Sequence, residues 1–88
     1  MPKMVITHSV ENIDRWLQGK EERATALGTA GSNVTDFIAE DGSLNIAVSA
    51  DIHDMEALKA LLSSPPPDLM ALMQKHGVVP PFTAYIES

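Results

Sequence analysis

The chain contains no cysteine. Disulfide staples and cysteine-ligated structural zinc are therefore excluded, and stability has to come from packing or self-association. No apolar run approaches the roughly 20 residues needed to span a bilayer, so no membrane association is expected. Basic residues are scarce: six Lys and Arg stand against twelve Asp and Glu, a net charge of −6. They are also scattered, at Lys3, Arg15, Lys20, Arg23, Lys59 and Lys75. A nucleic-acid surface needs a clustered basic face to replace phosphate counterions, so nucleic acid is not expected as a partner. The negative charge reads as solubility. The opening Met-Pro-Lys-Met has no signal-peptide character, and a cytoplasmic location is expected. Glycine-rich phosphate loops, a nucleophile elbow and a Walker motif are all missing.

What is present is globular. Apolar residues make up 44% of the chain and charged residues 20%, too hydrophobic for intrinsic disorder. A single domain over residues 1–88 is expected. A domain of this size buries only about 60–65% of its unfolded surface, which favours oligomerisation.

Residues 4–10 alternate as a strand, with Met4, Ile6, His8 and Val10 on one face and Val5, Thr7 and Ser9 on the other. Asn12 then caps a helix whose Ile13, Trp16, Leu17, Ala24 and Leu27 form one stripe, leaving Glu21, Glu22 and Arg23 for the wet side. Gly28 and Gly31 stop it. Val34 to Glu40 reads as a second strand, Glu40-Asp41-Gly42-Ser43 as a hairpin turn, and Leu44, Ile46, Val48, Ala50 and Ile52 as the inner side of a third strand. Asp54 caps a helix carrying Leu58, Leu61 and Leu62. Pro65-Pro66-Pro67 interrupts it, because consecutive prolines remove donors and clash with preceding carbonyls. A further helical segment turns Leu69, Leu72, Met73 and His76 inward and ends at Gly77. Phe82 to Glu87 is the closing strand.

The order is β-α-β-β-α-β, an α+β ferredoxin-like arrangement: a four-stranded antiparallel sheet with two helices on one face. Right-handed crossovers put the first and third strands in the middle and the second and fourth at the edges. The helix-covered face is assigned to Met4, Ile6, His8, Leu44, Ile46, Val48, Ala50, Phe82, Ala84 and Ile86. The other face offers Val5, Thr7, Ser9, Asn45, Ala47, Ser49, Thr83 and Tyr85, with charges only near strand ends. A face that is small, neutral and of intermediate polarity suits burial against a second copy, and an isologous homodimer through it is expected.

These residues resemble the dimeric α+β-barrel superfamily, which includes antibiotic-biosynthesis-type monooxygenases and small cyclases and isomerases. The resemblance rests on His8-Ser9-Val10, the acidic turn Glu11-Asn12, the early helical Trp16, Gly31 to Val34 leading into the hairpin, Gly77-Val78 and Pro80-Pro81. Pro65-Pro66-Pro67 departs from the pattern, in which a single proline is usual at that point. The resemblance implies a homodimer with a small hydrophobic pocket between sheet and helices. It also implies a cofactor-independent monooxygenase, isomerase or cyclase acting on an aromatic or polyketide-like molecule, with no cofactor required. A non-catalytic binding or assembly module is the competing reading.

His8 is the candidate acid/base, because its strand phase turns it toward the helices, where an imidazole needs a partner or a ligand. The competing reading is a strand-end histidine bonded to backbone. Trp16 is either core or pocket wall. Ile46, Val48 and Phe82 from the sheet, with Met73 and His76 from the second helical region, complete the candidate ligand-binding set. Asp36 is assigned to solvent or an interface, and His53 to an exposed junction. The three histidines lack metal-ligand spacing, so no metal site is expected.

Overall fold

The computed structural model describes residues 1–88. The elements run β1 (Lys3–Val10), α1 (Ile13–Leu17), α2 (Lys20–Leu27), β2 (Gly31–Ile38), β3 (Asn45–Ile52), α3 (Met55–Ser63), α4 (Pro67–Lys75) and β4 (Val78–Ile86). The strands form one sheet in the order β2-β3-β1-β4, and every pairing is antiparallel. The expected central and edge positions are those observed, and the fold is α+β ferredoxin-like. No helix is long and apolar enough to cross a membrane.

The two helical regions are each split in two. Prolines account for the second: α3 ends at Ser63 and α4 restarts at Pro67, where a missing N–H costs nothing in the first turn. The first split, at Gln18-Gly19, was not expected from the sequence. Gly19 is buried with the His76 ring where a Cβ would stand, so the chain bends there to admit that ring. The bend resets the helical phase. Arg23, assigned to the wet side, is instead only 9% exposed, and Ala24, assigned to the apolar stripe, is exposed.

Side-chain caps fix two helix starts as anticipated. Asn12 Oδ1 accepts from the Arg15 N–H at 2.9 Å, and Asp54 Oδ1 accepts from the Ala57 N–H at 3.0 Å, each satisfying an otherwise unpaired first-turn donor. Gly77 closes α4 with a φ of +72°, a left-handed conformation that glycine adopts without strain.

β1 starts one residue earlier than the sequence suggested, and two further strands start well before the expected residue. β2 begins at Gly31, where a Cβ would lie 2.8 Å from the Asp51 carbonyl oxygen, so glycine lets the strands close tightly. β4 begins at Val78 and carries Pro80 and Pro81 inside it. Prolines survive there because β4 is an edge strand and its pairing with β1 shifts register: Thr7 faces Thr83, but Ser9 faces Val79. Three β4 residues thus stand opposite His8, a bulge of the kind that re-aims a neighbouring side chain.

The core lies between sheet and helices in two halves. Met4, Ala30, Ala50, Ile52 and Leu58 form one; Val10, Trp16, Ile46 and Val48 form the other. Val34 packs against both. The helices do not reach the outer edge: Phe82, Ala84 and Ile86, assigned to the covered face, are exposed, as is Leu44.

Candidate functional site

Between the two core halves lies a cavity of about 120 Å³. Ile6, His8 and Val48 form its sheet side, Arg23, Ala26 and Leu27 its α2 side, and Leu58, Leu61 and Leu62 its α3 side. Pro65, Leu69, Leu72, Met73 and His76 close it from the α4 region, and Val78 and Phe82 from β4. Five of the seven sequence candidates, His8, Val48, Met73, His76 and Phe82, are therefore brought together. Trp16 and Ile46 are not on this wall. Trp16 is wholly buried with Val10, Ile46 and Val48, and Ile46 borders instead an open depression on the helix-free face that also touches His8.

A neighbouring carbonyl holds His8 in place. Its Nδ1 lies 2.8 Å from the Ser9 carbonyl oxygen. A carbonyl can only accept, so Nδ1 carries the proton and Nε2 keeps the free lone pair. The ring stands edge-on to Phe82 at 5.5 Å and to Trp16 at 6.4 Å, both at 84° between planes. Burial pushes its pKa below the ordinary histidine value; the Ser9 carbonyl opposes that shift, and the Arg23 cation adds to it. The neutral form, which can take up a proton, is thereby favoured.

At one end of the cavity is a polar cluster that sequence reasoning missed. The Arg23 guanidinium lies 4.1 Å from the Trp16 ring centre, a stacking that favours a desolvated cation. Its Nη1 donates to the Trp16 carbonyl at 2.6 Å and to His76 Nδ1 at 3.2 Å. Its Nη2 is 3.4 Å from Asp36 Oδ1, and that carboxylate side chain is only 3% exposed. Asp36, assigned to solvent or an interface, is thus turned under the helices: it pairs with Val48 across β3, as Ile38 pairs with Ile46. The signal available in the sequence was its alternation with Val34 and Ile38. What hid its role was the phase of Arg23, which only the break at Gly19 reveals.

His76 closes the cluster. Because Arg23 can only donate, His76 Nδ1 accepts and Nε2 bears the hydrogen; that nitrogen sits 3.5 Å from Glu22 Oε1, and Glu22 in turn binds Lys75 at 3.1 Å. Burial lowers the His76 pKa, Glu22 opposes that, and Arg23 reinforces it. Arg15 fixes the end of α4 that carries His76, donating from Nε to the Lys75 carbonyl at 2.8 Å and from Nη2 to the Gln74 carbonyl at 2.7 Å. His53 is exposed. No group of three His, Asp or Glu side chains converges closely enough to hold a metal ion.

An α+β ferredoxin-like frame with a small apolar cavity under its helices is the class this geometry defines. No family model matches the chain, and no curated protein matches it in sequence. Solved structures match it in fold. A crystal structure of an antibiotic biosynthesis monooxygenase superposes with a TM-score of 0.66 at 10% identity, covering 100% of this chain and 97% of the other. A candidate antibiotic biosynthesis monooxygenase from Deinococcus radiodurans gives 0.61 at 14% identity, covering 97% and 90%. A protein from Agrobacterium tumefaciens gives 0.65 at 15% identity, covering 100% and 92%. The chain has the fold of antibiotic biosynthesis monooxygenase-like proteins.

Proposed function

We propose that the protein binds a small aromatic molecule in the cavity between sheet and helices and acts on it without a cofactor, as a monooxygenase-like, isomerase or cyclase activity with His8 as acid/base. One observation carries this reading. An imidazole on a mostly apolar wall, shared with Arg23 and His76 at one end, has one nitrogen tied to a backbone carbonyl, and burial favours its neutral form. Such a group can take a proton from a phenol or an enolisable carbon and return it elsewhere. The enolate so formed is the common starting point for isomerisation, for ring closure, or for oxygenation by dioxygen as co-substrate, in which a CH2 becomes a carbonyl and the second oxygen atom leaves as water. The names of two fold neighbours, antibiotic biosynthesis monooxygenases, support the third of these.

A non-catalytic binding module is the second reading, favoured by the position of Trp16 inside the packed core rather than on the cavity wall. A thermal-shift screen of small aromatic compounds followed by mass spectrometry of the hits separates the two, since a bound ligand raises apparent stability by mass action. Under the first reading a hit is converted by the wild type. His8→Ala then folds and binds it but turns over at least a hundredfold more slowly, the scale of general acid–base catalysis. An unchanged rate in that variant removes His8 from the chemistry. A bound but unconverted ligand favours the binding module.

The same proposal includes a homodimer through the helix-free sheet face. Phe37 and Tyr85 stand 49% and 58% exposed there. Val5, Thr7 and Ala47 lie between them in register, on the pairings Val5–Tyr85 and Phe37–Ala47–Thr7. The Lys3–Asp51 pair at 2.8 Å lies at the strand ends.

A further inference from the structure

The cavity wall is one-sided in its polarity. Its only polar side chains are His8, Arg23 and His76, and no carboxylate, hydroxyl or amide joins them, although the chain as a whole carries twelve Asp and Glu against six Lys and Arg. Two of the three sit together at one end, 3.2 Å apart. Two N–H groups of these wall residues, Arg23 Nη2 and His76 Nε2, are buried without a hydrogen bond. The carboxylates nearest to them are Asp36, 3.4 Å from Arg23, and the half-exposed Glu22, 3.5 Å from His76 Nε2, both too long for a good hydrogen bond. Unmet buried donors in an apolar setting call for an oxygen that accepts, best of all a charged one.

The volume limits what accompanies that oxygen. About 120 Å³ is on the scale of one aromatic ring, since a dry apolar cavity of ~150 Å³ holds benzene. We propose that the ligand is a one-ring aromatic acid. Its carboxylate lies at the Arg23–His76 end, and its ring lies among Ile6, Val48, Leu58, Leu72 and Phe82. This inference rests on the proposed function in taking the cavity as the ligand site, and it narrows the substrate class to exclude multi-ring polyketides.

Three probes of nearly equal shape test it: benzoate, neutral benzamide and cationic benzylamine, titrated into isotope-labelled protein and followed by NMR at the Arg23 Nε–H and the His76 ring. Benzoate is expected to bind at least tenfold more tightly than benzamide and to shift both signals, with benzylamine not binding. Benzamide binding as tightly as benzoate overturns the acid assignment while leaving the cavity as a ligand site; failure of all three removes the cavity reading as well. In Arg23→Gln the preference for benzoate over benzamide is expected to vanish. His76→Phe keeps the ring against Gly19 and is the second variant should Arg23→Gln not fold. A preference that survives in every folded variant overturns the assignment.

Discussion

Removing the Arg23 guanidinium would leave the Asp36 carboxylate, 3% exposed, with no cation in reach. Breaking a buried pair by deleting one partner costs about 3–5 kcal/mol, whereas replacing both with apolar groups of similar volume is often neutral. Arg23→Met is therefore expected to lower unfolding free energy in urea by about 3 kcal/mol or more, and Arg23→Met with Asp36→Leu to recover most of it. Equal losses in the single and double variants would show that the pair holds nothing together. The two part-buried and buried imidazoles set a pH dependence of known sign. Burial pulls the His8 and His76 pKa values below 6.5 in the folded protein, so the unfolded chain binds protons that the folded one refuses. Their contribution is fully present above pH 6.5 and is lost as pH falls toward and through the folded values. Melting temperature should fall between pH 7 and pH 5, and this fall should shrink in His76→Phe. Of these residues, His8 could be placed from strand alternation alone, because period two leaves little freedom once Ile6 and Val10 are inward. Arg23 could not, because helical phase accumulates along the element and one unseen break rotates everything after it.

The break belongs to the pair of helices rather than to any one side chain. Gly19 gives α1 and α2 their angle by letting the His76 ring of the α4 terminus sit against bare backbone. Gly19→Ala forces a Cβ into that ring, and overpacking of this kind costs about 1–3 kcal/mol. The loss should be much smaller when Gly19→Ala is made in a His76→Ala background, a coupling that a double-mutant cycle in urea reads directly. Additive losses would mean that the ring is not what Gly19 accommodates. The sequence shows the other break plainly, since Pro65-Pro66-Pro67 forbids continuous helix whatever surrounds it. Gly19 differs because glycine is tolerated within helices, and its meaning here comes from a residue 57 positions away, His76. The start of β4 was hidden for a similar reason. Pro80 and Pro81 argue against a strand by local rules, and they are admitted only because the strand is at the edge and bulges opposite His8.

At the scale of the whole molecule the sheet has two faces and the helices cover only one. The uncovered face carries two exposed aromatic rings, Phe37 and Tyr85, and small neutral side chains between them. Two copies stacked through it would be related by a two-fold axis, so a single substitution acts twice. Ala47 lies on β3 between Thr7 and Phe37 in the pairing, and an arginine there would bury an unpaired cation from each copy in the interface. Ala47→Arg is accordingly expected to sediment as a monomer of 9.5 kDa, while the wild type sediments at twice that mass and melts at a temperature that rises with protein concentration. The substituted side chain points away from the cavity, so the affinity of Ala47→Arg for benzoate, compared at equal fractions folded, separates assembly from ligand binding. A wild type that sediments as a monomer at every concentration would remove the dimer and leave the helix-side cavity standing on its own.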